Sequence, residues 1–127
     1  MEKSKLSELE WQIITTIWDI DRPVCVRDVL NKAYPKNEKA YTTVQTVMNN
    51  LFEKNILTRE KIGLVNFYKP IEKKQAILKQ EVQRFLNKTF SGSLNAMVSF
   101  IINSKEIDQK ELEDLKKLIS EIERSDK

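Results

Sequence analysis

The side chains of this 127-residue chain that could do chemistry are short, uncharged polar groups gathered between residues 42 and 50. They are the hydroxyls and amides of Thr42, Thr43, Gln45, Thr46, Asn49 and Asn50. Such groups donate and accept hydrogen bonds without carrying charge, which suits base edges and phosphate oxygens. An ordinary solvated helix face carries Lys and Glu instead. The segment therefore predicts a surface that binds a polar partner.

Catalytic and metal chemistry lack their usual residues in this chain. The sequence has no His and only one Cys, so the commonest general base and metal ligand are missing and an intramolecular disulfide is excluded. We expect no enzyme activity, no cofactor and no metal site. We interpret Cys25 as a small, half-buried hydrophobic residue rather than a redox sensor, because no second Cys or basic cluster accompanies it.

Charge is distributed unevenly along the chain. Residues 32–69 carry seven Lys and Arg against three Asp and Glu, a net charge of +4, whereas the whole chain carries +3. A basic stretch around the polar segment favours nucleic acid, although a solvated helix face is also rich in Lys. No signal peptide is recognisable, and no apolar run approaches the roughly 18 residues of a membrane span. We expect a cytoplasmic protein without membrane insertion.

Helices must position the polar segment, because a chain with two Gly and three Pro has too few turn residues for a sandwich or barrel. The capping box Ser7-Glu8-Leu9-Glu10 predicts a first helix that ends near Ile20. A very short strand, Val24-Cys25-Val26, is expected to lead into a second helix that stops before Pro35.

A third helix is predicted from Tyr41 to about Lys54, with an apolar stripe opposite its polar side. Two β-prone runs follow, Leu57–Ile62 and Val65–Lys69, joined through Gly63. Three helices with the third polar on its outer side, then a hairpin, indicate a winged helix-turn-helix. We therefore predict a mainly α fold with a small β-hairpin wing, whose DNA-binding domain covers residues 1–71.

After Pro70 the sequence predicts helices only, and we assign residues 72–127 to a second, helical domain. The predicted helices are a long one over 71–90, a short apolar one over 93–103, and a last one that begins with a capping box at Asp108–Glu111. Their apolar side chains exceed what three helices cover by themselves, so we expect a homodimer with this region as its dimerisation domain. The predicted interface comprises Leu78, Val82, Phe85, Leu86, Phe90, Leu94, Met97, Val98, Ile101, Leu112, Leu115, Leu118, Ile119 and Ile122.

Several separated motifs, in their order and spacing, resemble the penicillinase repressor family. These motifs are Leu9-Glu10-Trp11 with Trp18, Thr42-Thr43-Val44-Gln45-Thr46 with Asn50-Leu51, Phe67-Tyr68, and Phe90-Ser91-Gly92-Ser93-Leu94. The resemblance extends from about residue 6 to about residue 122. It implies a bacterial homodimeric repressor whose winged helices bind an inverted-repeat operator in double-stranded DNA. Members of the family repress β-lactamase or methicillin-resistance genes and are inactivated by proteolysis after a membrane sensor detects the antibiotic.

The same resemblance implies which residues contact DNA. Thr42, Thr43, Gln45, Thr46 and Asn50 face the DNA from the third helix, with Tyr41 near its start, and Asn49 belongs to the same polar side. Gln45 is the best candidate for a base contact, because an amide donates and accepts at adenine together. The expected phosphate contacts are Arg27, Lys39, Arg59, Lys61 and Lys69.

Two departures from the family pattern leave the inducing signal open. Antibiotic-responsive members are cleaved at an Asn–Phe bond in the short C-terminal helix, where this chain reads Val98-Ser99-Phe100-Ile101 and places its one such pair, Asn66-Phe67, in the wing. The paired C-terminal Cys of a copper-responsive branch are absent. A sensor-protease pathway, copper and another signal therefore stand as alternatives. An alternative function is a protein-interaction module in which the winged helix is a docking platform.

Overall fold

A computed structural model of the chain describes residues 5–104 and 107–125. The described residues form two compact units that divide after Glu81. Residues 1–4 and 126–127, the outer ends of the two predicted domains, lie outside the described residues. The elements, in chain order, are α1 (Glu8–Ile20), α2 (Val26–Ala33), α3 (Tyr41–Glu53), β1 (Leu57–Ile62), β2 (Val65–Pro70), α4 (Lys74–Thr89), α5 (Leu94–Asn103) and α6 (Gln109–Ser125).

The first helix begins at the predicted capping box. The Glu10 N–H donates to the Ser7 hydroxyl at 3.2 Å, and the Ser7 N–H donates to the Glu10 carboxylate at 2.8 Å. Both orphan donors are thereby satisfied at the helix start. The helix ends where Asp21 takes a left-handed conformation with φ of 58°. The sequence prediction for α1 is confirmed at both ends.

A dry core holds α1, α2 and α3 together. Its innermost side chains have no solvent exposure at all: Ile13, Ile14, Ile17, Val29, Val44, Met48 and Leu51. Burial of each side chain of this size stabilises the folded state by about 1.5–3 kcal/mol. The apolar stripe of α3 therefore packs in the core, and the polar side of that helix faces outward.

The predicted wing is an antiparallel hairpin. Its strands pair from Leu57 opposite Pro70 to Ile62 opposite Val65, and Gly63 takes a φ of +66° at the turn, where a glycine is unstrained.

The short strand predicted before α2 shrinks to a single bridge. Val24 exchanges backbone hydrogen bonds with Tyr68, at 2.9 and 2.7 Å. The expectation of a strand through Val26 is wrong, because Val26 already begins α2.

The long helix α4 begins at Lys74, three residues later than the expected start at Ile71. Two long-range hydrogen bonds hold the intervening chain out of helical geometry. The Ile71 N–H donates to the Ile56 carbonyl at 3.0 Å, and the Trp18 indole N–H donates to the Glu72 carbonyl at 3.2 Å. Ile77 then packs into the core of the first unit. Local periodicity cannot reveal such partners.

The second unit, from Val82 onward, is built from the rest of α4 with α5 and α6. The helix starts predicted at Ser93 and Asp108 are confirmed: the Ala96 N–H donates to the Ser93 hydroxyl at 3.0 Å, and the Glu111 N–H donates to the Asp108 carboxylate at 2.8 Å. The Phe90 ring lies 5.8 Å from the Phe100 ring. None of the helices in the described part is long and apolar enough to cross a membrane.

Candidate nucleic-acid interface

The outer side of α3 presents two rows of polar side chains. Residues four apart lie on one face of a helix, so Thr42, Thr46 and Asn50 form one row, and all three are exposed. Gln45 and Asn49 form the adjacent row and are half-buried, as is Thr43. None of these side chains is charged. The surface can therefore hydrogen-bond base edges without favouring a positively or a negatively charged group.

The start of α3 lies beside two further predicted contacts. The residue before the helix, Ala40, offers no side-chain cap, so the first backbone N–H groups are open to a partner and carry the positive end of the helix dipole. The Arg27 guanidinium lies 5.1 Å from the centre of the Tyr41 ring. This contact from α2 holds a cation at the same end of α3, and Lys39 is exposed in the preceding loop.

The register of the hairpin sorts its cations between two faces. Directly paired residues share a face, and faces alternate along each strand. Arg59 pairs with Tyr68 and Lys61 pairs with Asn66, which places these two cations on one face. Lys69 pairs with Thr58 on the other face and lines a cavity of about 320 Å³ with Trp18 and Ile71. Arg59 and Lys61 thus share a side that Lys69 does not.

The α3 side of the hairpin is identified by one shared acceptor. The Asn49 side-chain carbonyl accepts from the Tyr68 hydroxyl at 2.5 Å and from the Arg59 guanidinium at 3.1 Å. The Arg59 guanidinium also lies 4.1 Å from the centre of the Phe52 ring on α3. We call these four side chains the clasp. The clasp joins the polar face of α3 to the hairpin face that carries Arg59 and Lys61.

The expected phosphate contacts differ from Lys54 and Arg22 in their ionic pairing. Within the described residues, Arg27, Lys39, Arg59, Lys61 and Lys69 make no salt bridge, whereas Lys54 pairs with Glu10 at 2.7 Å and Arg22 with Asp28 at 3.2 Å. Burial alone raises the pKa of Glu10, but hydrogen bonds from Lys54 and from the Ser7 backbone lower it below its ordinary value overall. The five cations without a salt bridge keep their charge available to a phosphate partner.

Sequence reasoning missed two members of the clasp. Phe52 and Tyr68 are apolar or half-apolar residues that patterning assigns to packing, and Tyr68 is in fact 1% exposed. Burial raises the pKa of Tyr68, so its hydroxyl stays a hydrogen-bond donor at neutral pH. The pairing of Arg59 with Tyr68 follows from a two-residue turn at Gly63, and that register was the available signal.

The apolar residues predicted for dimerisation are largely exposed. Leu86 is buried, and Phe90, Met97, Ile101 and Leu112 are half-buried. Exposed members are Leu78 in the first unit and, in the second, Val82, Phe85, Leu94, Val98, Leu115, Leu118, Ile119 and Ile122. Among the described residues, no group of three or more Cys, Asp or Glu side chains could hold a metal ion.

A helical core, a hairpin directly after its third helix, and an uncharged polar face on that helix define the class of winged helix-turn-helix DNA-binding proteins. Comparison with known proteins narrows this class. The family model for penicillinase repressors matches residues 6–121, and the chain belongs to that family. The family resemblance and the winged-helix fold predicted from the sequence are thereby confirmed.

Individual relatives are similar along most of their length. The chain is 25% identical over 118 residues to the penicillinase repressor of Staphylococcus aureus, covering 93% of each chain. It is 20% identical over 116 residues to the methicillin resistance regulatory protein MecI of Mammaliicoccus sciuri, covering 91% of this chain and 94% of that one. These relatives are repressors and regulators, which confirms the expectation of a DNA-binding transcription regulator rather than an enzyme.

Similarity to this chain also extends to solved structures. One of them is the solution structure of the monomeric form of BlaI from Bacillus licheniformis in complex with the blaP half-operator, with 22% identity and a TM-score of 0.49. The match covers 58% of this chain and 89% of that one.

Proposed function

We propose that this protein is a homodimeric transcriptional repressor that binds an inverted-repeat operator through α3 and the hairpin of each subunit. The observation that carries the proposal is the clasp, which joins the polar face of α3 to a hairpin face with unpaired cations. A recognition helix with adjoining phosphate contacts is the arrangement by which such folds bind the major groove. A transcriptional repressor acts where the bacterial DNA lies, so we propose the cytoplasm as its compartment.

The two parts of this surface are proposed to divide the work. Gln45, Thr42 and Thr46 lie toward the start of α3, the part of a recognition helix that contacts base edges. Arg59 and Lys61 on the hairpin, together with Arg27 and Lys39 near the start of α3, contact phosphates and set the register. Lys69 is the weakest of the proposed phosphate contacts, because it lies on the other face of the hairpin.

The homodimer is supported by the apolar side chains of the second unit. Leu118, Ile119 and Ile122 on α6 are all more than half exposed, and a helix with such a stripe needs a covering surface. A second copy supplies it about a two-fold axis, and the same axis repeats the DNA-binding surface for an inverted repeat.

We propose antibiotic-resistance or related stress genes as the targets. The support is that the relatives are a penicillinase repressor and a methicillin resistance regulator. The α5 helix offers Ser99-Phe100 and no Asn–Phe pair, so a sensor-protease pathway would have to cut elsewhere in the chain.

The experiment is selection of DNA from a random-sequence duplex library with the purified protein, followed by sedimentation of the free protein. We expect an enriched inverted repeat and a dimer at micromolar concentration. A pool without any enriched sequence, together with a monomer, would contradict the proposal and favour a protein-interaction module. Enrichment of a single half-site would retain the winged helix as a DNA reader and remove the dimer.

A further inference from the structure

We infer that Tyr68 is a positioning residue for DNA recognition. It acts through Asn49 and Arg59 to fix the hairpin on α3, so that the helix and the hairpin bind DNA as one rigid surface. This inference rests on the DNA-binding function proposed above. Tyr68 is buried, so its role in binding is indirect, and the clasp is a determinant of binding rather than a packing detail.

The chemistry of the clasp fixes how Asn49 is oriented. An Arg guanidinium has donors only, and the protonated Tyr68 hydroxyl donates here, so the atom that meets both must be the carbonyl oxygen of the Asn49 amide. Its two lone pairs are then both used, at 2.5 and 3.1 Å. Asn49 can offer DNA only its N–H donors, and it cannot make the donor-plus-acceptor contact that adenine requires.

Arg59 is held from α3 at two points. Its guanidinium donates to Asn49 and lies over the ring of Phe52, 4.1 Å from the ring centre. Asn49 and Phe52 are three residues apart and therefore neighbours on the helix surface. A cation of the wing is thus attached to the recognition helix itself. Lys61, two residues further along the same strand face, takes its direction from that attachment.

Tyr68 anchors the clasp from the core side. Its ring is 1% exposed, and its backbone is hydrogen-bonded in both directions to Val24, at 2.7 and 2.9 Å. The hydroxyl therefore has one available position, and it determines where the Asn49 amide and then Arg59 can lie. Loss of this hydroxyl frees the amide to rotate and the hairpin to move against α3.

The chain offers a matched control for this residue. Tyr34 is also buried, and its hydroxyl donates to the Gln12 side chain at 2.8 Å, on α1 rather than α3. Tyr68→Phe and Tyr34→Phe each remove one hydroxyl and one hydrogen bond from a buried ring, so similar losses of folding stability are expected. With the duplex selected by the wild-type protein, we expect Tyr68→Phe to weaken binding about tenfold, or about 1.4 kcal/mol, and Tyr34→Phe to change it less than twofold.

A double-mutant cycle separates positioning from general loosening. Gln45→Ala and Lys61→Ala remove contacts from the helix and from the wing. In the wild-type background we expect their effects on the dissociation constant to be coupled, and in the Tyr68→Phe background to multiply independently. Equal binding by wild type and Tyr68→Phe, equal losses in the two Tyr variants, or unchanged coupling would overturn the inference while leaving DNA binding intact.

Hydrogen exchange without DNA distinguishes failure of the clasp from failure of the proposed function. We expect faster exchange of the hairpin amides from Lys61 to Asn66 in Tyr68→Phe than in Tyr34→Phe. If the hairpin amides of Tyr68→Phe exchange faster but the protein prefers no duplex, the role of Tyr68 in recognition and the proposed function are both overturned. Unchanged exchange would overturn the mechanical basis of the clasp whatever the protein binds.

Discussion

The two units of the chain differ in how far they bury their apolar side chains. The first unit packs its three helices around a closed apolar core, with Ile14, Val44 and Met48 at zero exposure, and turns the uncharged polar groups of α3 outward. In the second unit, α5 has no buried residue among its ten, although most of them are apolar, and Ile122 on α6 is 61% exposed.

This difference indicates where each activity lies. A unit with a closed core can present a polar recognition face to a partner without changing its own packing. A unit that leaves its apolar helices uncovered is completed by association. On the function proposed above, recognition belongs to α3 and the hairpin, and assembly belongs to α5 and α6.

The largest effect is expected from a cavity in the first unit. Ile14→Ala removes buried methyl groups at a site without solvent, so the free energy of unfolding should fall by about 2–5 kcal/mol. The measurement is denaturant unfolding at two protein concentrations. The loss should not depend on concentration, because the core belongs to one chain. Ile122→Ala should instead give a loss that changes with concentration, and identical behaviour of the two variants would erase the contrast between the units.

A charge on α6 should break assembly while leaving the first unit folded. In Ile119→Glu the side chain stays solvated in the monomer but must be desolvated in a dimer. We expect a monomer by sedimentation and an operator affinity about a hundredfold lower, because the second half-site no longer binds in the same complex.

Ser120→Glu is the matched control for this prediction, since it adds the same charge to the neighbouring residue on the polar side of α6. It should remain a dimer. Dissociation of both variants would indicate a response to charge rather than to the apolar face.

A smaller effect should separate the two parts of the DNA-binding surface. Gln45→Ala should weaken binding to the operator about tenfold and relax the base preference at one operator position. Lys61→Ala should weaken all sequences alike and reduce the salt dependence by about one phosphate. Binding to a set of single-base operator variants at two salt concentrations measures both. Identical profiles for the two variants would contradict the division into base and phosphate contacts.

The smallest effect concerns acid stability of the first unit. The pKa of Glu10 is lowered in the folded state, so its contribution is present above the ordinary value of 4.5 and is lost as the pH falls through the folded pKa. Glu10→Gln should cost about 1 kcal/mol at pH 7, and the difference from wild type should shrink progressively as the pH falls below 4.5. Urea unfolding at pH 7 and at a series of pH values below 4.5 measures it. Glu8→Gln, an exposed change in the same helix turn, should show no such difference.

Much of this architecture follows from local sequence signals. The capping residues Ser7, Ser93 and Asp108 locate three helix starts because a cap is satisfied within four residues of chain. The polar face of α3 is likewise visible, since the helical period alone separates Thr42 and Gln45 from the apolar stripe.

The rest depends on residues far apart in the chain. The start of α4 is displaced by bonds from Ile56 and Trp18, which lie 15 and 54 residues from their partners. The role of Tyr68 requires the hairpin register and the packing of that hairpin on α3 at once. Patterning also places Asn49 with the DNA-facing residues without showing that its carbonyl is already occupied.

In the proposed function, the first unit recognises a particular DNA sequence. The most direct test is the dissociation constant of the wild-type protein for its selected inverted-repeat duplex and for a scrambled duplex of equal length, at about 50 and 200 mM salt. We expect binding at least about 10³-fold tighter to the selected duplex, with both affinities falling as salt rises. Equal affinity for the two duplexes at both salt concentrations would contradict it.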